Sequence, residues 1–363
     1  VEKKKHTKVG ILNKIAILTD QHFGARSDSL VFLDYFERFY QDIFFPFLKK
    51  NKITEIISLG DMFERRKFCN FLTLKRTRKM WLEPLLENNF KVHCLLGNHD
   101  VYYKNTNDVN SIKEILGNYS NFIIYNETEE IMIDDTKVLL VPWINDENRE
   151  TSLKIINETD AKYCFGHLEL NGFLMNRGQK SEVGFDAEPF KKFEMVATGH
   201  YHHKSDKENI HYLGSPYEMT FADINDPRGF HIWNTNTKEL DFHKNPYKMF
   251  YKIFYDDKDQ PLSSLLKKIT DRYQDTYVKV VVHNRTNPEY FDKFMEHLFS
   301  MQPADIKIEE DISIDAPDII VDMAEDTLTI LNKYVDTLEV DIDKDKIKEE
   351  LRLLHMEAVN MER

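Results

Sequence analysis

An α/β layered fold is expected, because the first hundred residues alternate apolar β-type runs with helical spacings. Lys14-Ile15-Ala16-Ile17-Leu18-Thr19, Glu55-Ile56-Ile57-Ser58-Leu59 and Phe90-Lys91-Val92-His93-Cys94-Leu95-Leu96 are the runs. Helical patterns from Ser29 to about Asn51 and from Phe71 to Asn88 separate them. Each run ends in polar, turn-forming residues: Asp20-Gln21-His22, Gly60-Asp61 and Gly97-Asn98-His99-Asp100. Layered α/β proteins hold their chemistry at such strand carboxyl ends.

The elements follow in order. Asp20 and His22 stand two apart on an extended chain, so both side chains can reach one ligand. The aromatic residues between Ser29 and Asn51 suit a helix packed back on the sheet. Short β-type runs at Phe122–Tyr125 and Glu130–Ile133 precede an Asp134-Asp135 turn and Lys137–Val141, which predicts a hairpin. Tyr163-Cys164-Phe165 ends in Gly166-His167, and Met195–Thr198 ends in Gly199-His200-Tyr201-His202. Short strands around 210–213, 229–234 and 238–242 complete the unit near Pro246. From Tyr247 a smaller α/β unit is expected: strand 250–255, helix 262–273, strand 278–282, helix 288–301, strand 306–309. An acidic linker, 311–322, leads to two helices at about 323–334 and 344–359, whose apolar stripes suit a partner surface or packing on their own domain.

At 363 residues the chain exceeds one average domain of about 100–200 residues. With 41% hydrophobic and 31% charged residues it is a globular composition rather than a disordered or fibrous one. A net charge of -13 argues against a surface that grips nucleic acid everywhere. Basic residues nevertheless cluster in Arg65-Arg66-Lys67 and Lys75-Arg76-Thr77-Arg78-Lys79. Cys69, Cys94 and Cys164 have no C-x-x-C spacing and an odd count, so neither a zinc knuckle nor a disulfide framework is indicated. No apolar run approaches the roughly 18 residues of a membrane span, and the polar start lacks the apolar segment of a secretory signal. A soluble cytoplasmic protein without membrane contact is expected.

Five strand ends deliver seven candidate ligands: Asp20, His22, Asp61, Asn98, His167, His200 and His202. Two octahedral divalent ions about 3.5–4 Å apart need a bridging carboxylate with further nitrogen and oxygen ligands. This mixed set suits Mn2+ or Fe2+ better than Ca2+ or a thiolate-bound metal.

These motifs resemble those of the calcineurin-like metallophosphoesterases over about Lys14 to Phe242. Within that family the chain is most similar to the SbcD/Mre-type DNA nuclease subunits, particularly those of T-even-like phages. Supporting stretches are Gly166-His167-Leu168-Glu169-Leu170-Asn171-Gly172-Phe173, Tyr212-Leu213-Gly214-Ser215-Pro216 and Asn225-Asp226-Pro227-Arg228-Gly229-Phe230.

The resemblance implies a four-layer αββα sandwich over residues 14–246 behind an N-terminal arm, 1–13. It further implies a capping domain at 247–310 and an ATPase-binding helical tail at 323–363. It implies two Mn2+ ions, with Mg2+ or Fe2+ as alternatives, one held by Asp20, His22, Asp61 and His202 and the other by Asp61, Asn98, His167 and His200. Asp61 would bridge them, and a hydroxide generated there would attack the phosphodiester in line. His99 would protonate the leaving sugar oxygen and Asp100 would orient His99. Implied partners are DNA, an SbcC-type ATPase bearing a coiled coil, and a second copy of the chain within a heterotetramer. Arg65 and Arg66 are candidates for phosphate contacts or for a solvated helix start. Where many cellular relatives have a His after Gly-Asp, this chain has Glu64 in Gly60-Asp61-Met62-Phe63-Glu64.

A protein phosphatase of the same superfamily is the alternative. That reading expects Gly-Asp-x-x-Asp-Arg-Gly and Gly-Asn-His-Glu, whereas this chain has Glu64-Arg65-Arg66 and Asp100. A non-enzymatic scaffold is a third reading, and unpaired buried His and Asp side chains count against it.

Overall fold

In a computed structural model the described residues run from 14 to 310, apart from 177 and 178, with 335, 344, 346–348 and 351. Residues through Asp311 belong to one compact unit and those from Ile312 onward to a second. The expected N-terminal arm, the acidic linker and the first tail helix lie outside the described residues. Within the second tail helix, the described residues are helical.

The strands in chain order are β1 (Lys14–Leu18), β2 (Glu55–Ser58), β3 (Lys91–Leu95), β4 (Phe122–Tyr125), β5 (Glu129–Ile133) and β6 (Thr136–Val141). There follow β7 (Tyr163–His167), β8 (Leu174–Asn176), β9 (Gln179–Lys180), β10 (Met195–Gly199), β11 (Ser205–Lys207) and β12 (Ile210–Tyr212). The last are β13 (Gly229–Asn234), β14 (Leu240–Lys244), β15 (Phe250–Asp256), β16 (Tyr277–Asn284) and β17 (Asp305–Glu310).

Two six-stranded sheets carry the site, in the orders β14-β13-β1-β2-β3-β4 and β11-β12-β10-β7-β6-β5. Strands β1 to β4 run parallel, as do β6, β7, β10 and β12. Side-chain alternation along β1 explains the layering. Ile15 and Ile17 face the second sheet with Ile57, Leu140, Phe165 and Trp233. Ala16 and Leu18 face the helices with Phe36, Tyr40 and Trp81. On the far side of the second sheet Leu139, Cys164 and Val196 pack with Ile156 and Phe190. The result is four layers, αββα, with an apolar core between each adjacent pair.

The two long helical stretches of the first half each contain a wide turn. Leu30–Arg38 is α-helical, Phe39–Phe44 is π-type and Phe45–Asn51 is α-helical again. The second repeats this order over Phe71–Thr77, Arg78–Leu82 and Glu83–Glu87. Each π segment runs up to a proline, Pro46 or Pro84, which lacks the N–H that a regular α turn would use.

Residues 250–310 form a parallel sheet, β15-β16-β17, backed by Pro288–Ser300. The helix expected over 262–273 is a five-residue α turn, Leu262–Leu266, and a separate 3-10 turn, Asp271–Tyr273. Extended Thr270 interrupts it, while Leu265, Ile269 and Tyr273 are still buried. This small sheet is tied to the sandwich. Phe32 meets the rings of Phe250 and Tyr277 at 6.1 and 5.5 Å, and Glu218 accepts from the Met249 and Phe250 N–H groups. Among the described residues no helix is long and apolar enough to cross a membrane.

Candidate metal centre and active site

The site is built from turns that leave five parallel strand ends. After β1 and β2 the chains stay paired: Asp20 N–H donates to the Gly60 carbonyl, His22 N–H to that of Asp61, and Phe23 N–H to that of Met62. The turn after β3 closes against them. A Cβ on Gly60 would lie 2.5 Å from the Gly97 nitrogen, so the approach requires glycine, and Gly60 itself has φ 105°. Asp20, His22, Asp61 and His200 all hold positive φ, 51°, 46°, 52° and 90°. For non-glycine residues that backbone costs about 1–3 kcal/mol each, and such strain gathers at functional sites.

All seven expected ligands come together, in two overlapping groups. In the first, His22 Nε2 lies 3.0 Å from His202 Nε2, and His202 Nε2 lies 4.0 Å from Asp20 Oδ1. In the second, His167 Nε2 is 3.3 Å from Asp61 Oδ2 and 3.1 Å from Asn98 Oδ1, while His200 Nδ1 is 2.9 Å from the same amide oxygen. Asp61 Oδ2 also stands 3.8 Å from His22 Nε2, so one carboxylate oxygen faces both groups. His167 donates its Nδ1–H to the Leu59 carbonyl at 2.9 Å, which turns the Nε2 lone pair inward. Imidazole, carboxylate and amide donor atoms therefore converge, each within 4.0 Å of another. That donor set fits divalent cations. Asp20, His22, Asp61 and His167 are almost wholly buried, and His202 is 34% exposed, so the site opens on the His202 side.

The charge of these groups follows from the same packing. Burial disfavours charged imidazoles, yet Glu64 and Asp61 beside His22, and Asp61 beside His167, raise both to about 9. Burial pushes Asp61 up, but His167, His99 and His22 outweigh it and hold the carboxyl well below its usual range. Raised imidazoles stabilise the metal-free protein below their unfolded value near 6.5, and that contribution is lost as pH rises through about 9. An incoming cation must displace the same protons, so its affinity rises over this window. Calorimetric Mn2+ titrations at pH 6.5 and 8.5 are expected to show tighter binding at the higher pH, and thermal melts without metal a lower midpoint there.

His99 and Asp100 play distinct parts. The His99 N–H donates to Asp61 Oδ1 at 2.8 Å, and its ring Nδ1–H donates to the Glu64 carbonyl at 2.6 Å. Asp100, expected to orient His99, instead gathers main-chain donors. Its Oδ2 accepts from Asp61 N and Gly97 N at 2.7 and 2.9 Å, and its Oδ1 from Met62 N at 3.1 Å. The carboxylate thus joins the second and third turns, and orientation of the His99 ring falls to Glu64. Burial and the Asp61 charge push Asp100 up to about 7 against these donors.

Arg65 and Arg66 sit in the loop before the helix rather than in its first turn, since Asn70 caps the helix that starts at Phe71. Arg65 pairs with Asp28 at 3.5 Å and lies over the Phe68 ring, and Arg66 is partly buried.

Other residues of the site escaped the motif pattern. Trp143 lies against the His200 ring with centroids 5.3 Å apart. Buried Arg228 donates to the His202 carbonyl and to Ser215 Oγ, and pairs with Asp223 and Asp226 at 2.7 and 2.8 Å. The Asn225-Asp226-Pro227-Arg228 stretch carried that signal, whereas nothing near Trp143 did. Glu64 contacts His22, and His22, Glu64 and His99 form a third close group of possible ligand atoms.

Comparison with known proteins places this geometry. The chain is 29% identical over 354 residues to exonuclease subunit 1 of Enterobacteria phage T4, covering 95% of this chain and 99% of that protein. A solved archaeal phosphodiesterase matches 64% of this chain and 99% of its own at 13% identity, with a TM-score of 0.32. The calcineurin-like phosphoesterase family model matches residues 13–204, more than half of the chain, and this span holds all seven converging ligands. The chain belongs to the calcineurin-like phosphoesterase family.

Proposed function

We propose that the chain is a Mn2+-dependent DNA exonuclease and single-strand endonuclease, the nuclease subunit of an SbcCD/Mre-type recombination and repair complex acting in the cytoplasm. The observation that carries this reading is Asp61 Oδ2 standing between His22 and His167, in a chain similar along nearly its whole length to a protein named an exonuclease subunit. Asp20, His22, Asp61 and His202 would hold one ion, and Asp61, Asn98, His167 and His200 the other. Bound divalent ions supply an acidified water and neutralise charge building on the phosphoryl oxygens.

The chain's own groups do the rest. Asp61 spans both sites and, through Oδ1, fixes the main chain of His99. With Nδ1–H committed to the Glu64 carbonyl, protonated His99 has only its Nε2–H to give, and the leaving sugar oxygen is its acceptor. Asp100 keeps the turns that carry Asp61 and Asn98 in register. Residues 247–310 would shape the DNA path as a capping domain. The tail from 323 would dock on the coiled-coil base of an SbcC-type ATPase, in an assembly containing two copies of the chain.

Nucleotide release from end-labelled single- and double-stranded DNA, in Mn2+ and in Mg2+, tests the reading beside turnover of a phosphopeptide. DNA hydrolysis favouring Mn2+ is the expected result. Phosphopeptide turnover with inert DNA would establish the phosphatase alternative.

A further inference from the structure

The geometry points to Glu64 as a positioning residue that sets the ring orientation of two histidines at once, His22 through its carboxylate and His99 through its main-chain carbonyl. The inference rests on the metal centre proposed above.

The main-chain N–H, the carbonyl and one carboxylate oxygen of Glu64 are engaged in the site. Its N–H donates to the Phe23 carbonyl at 3.1 Å, which locks the loop after β2 to the loop after β1. Its carbonyl accepts the His99 Nδ1–H at 2.6 Å. Its carboxylate oxygen lies 2.7 Å from His22 Nδ1, an ion pair without the alignment of a full hydrogen bond. The Glu64 side chain is only 10% exposed and His22 is 2% exposed, so little water competes for the contact.

The consequence for His22 follows from imidazole chemistry. A carboxylate at Nδ1 favours the tautomer with its proton there, which leaves Nε2 as the lone-pair donor. That nitrogen is the one facing His202 and Asp61. A histidine in place of Glu64 would offer no permanent negative charge to this contact. The two arms are also separable. Side-chain substitution removes the support of His22 while the carbonyl that holds His99 remains.

Mn2+ titration calorimetry on the full chain, without DNA, compares the native protein with Glu64→Gln and Glu64→Ala. Glu64→Ala is expected to weaken one of the two ions by ~10–100-fold and to leave the other unchanged. Glu64→Gln keeps an acceptor and the side-chain volume, so a smaller loss is expected, and it serves as the variant least able to disturb folding. Two ions bound by both variants with native affinity would overturn the proposal. So would a third ion in the native protein that disappears in Glu64→Ala, because Glu64 would then be a ligand. Since no DNA is present, failure of the native protein to cleave DNA would count only against the nuclease reading.

Discussion

Asp61→Ala should lose both ions and hydrolysis together. One oxygen of this carboxylate faces His22 and His167 at 3.8 and 3.3 Å, and the other receives the His99 N–H. Removing it leaves two imidazoles without their shared counter-charge and a buried main-chain donor unpaired. Groups that act as a unit fail as a unit, so activity is expected to fall by ~10^4-fold or more. Calorimetry should then find no tight Mn2+ where the native protein is expected to bind two ions. Two ions still bound to Asp61→Ala would contradict the bridging role.

His99→Ala should separate chemistry from binding. The His99 ring is held by the Glu64 carbonyl and lies edge-on to His22, with centroids 4.8 Å apart. The assigned ligands are all supplied by other residues, and the Asp61 contact of His99 is through its main chain, which alanine keeps. Ion stoichiometry should therefore remain native while cleavage falls by ~10^2–10^4-fold, the range for loss of a general acid. Cleavage near the native rate in Mn2+ would remove His99 from the reaction. A leaving group that needs no protonation, such as a nitrophenolate, should recover much of the loss.

The sequence carried the strand ends well, for a physical reason. Each of Asp20, Asp61, Asn98, His167 and His200 closes an apolar run, and parallel strands in one layered fold bring such ends to one edge. Local periodicity said less about partners. Phe122–Tyr125 reads as a β-type run, but only the fold shows that β4 pairs with β3 and that the hairpin belongs to the other sheet. The 262–273 spacing of Leu, Ile and Tyr is met by two short turns as readily as by one helix, because both bury the same side chains.

Contacts between turns were the least legible. Asp100 reads as a neighbour of His99, yet a side chain beside another in sequence need not share its direction, and Asp100 turns towards donors nearly forty residues away. The reach of Glu64 to both His22 and His99 likewise depends on three loops meeting at Gly60 and Gly97, a closeness that no spacing encodes.

A two-ion centre bridged by Asp61 has a direct crystallographic signature. Anomalous diffraction at the manganese edge from crystals soaked in Mn2+ measures it directly. Two peaks about 3.5–4 Å apart are expected on either side of the Asp61 carboxylate, one among Asp20, His22 and His202 and the other among Asn98, His167 and His200. A single peak, or a pair in which Asp61 touches only one ion, would contradict the bridged centre.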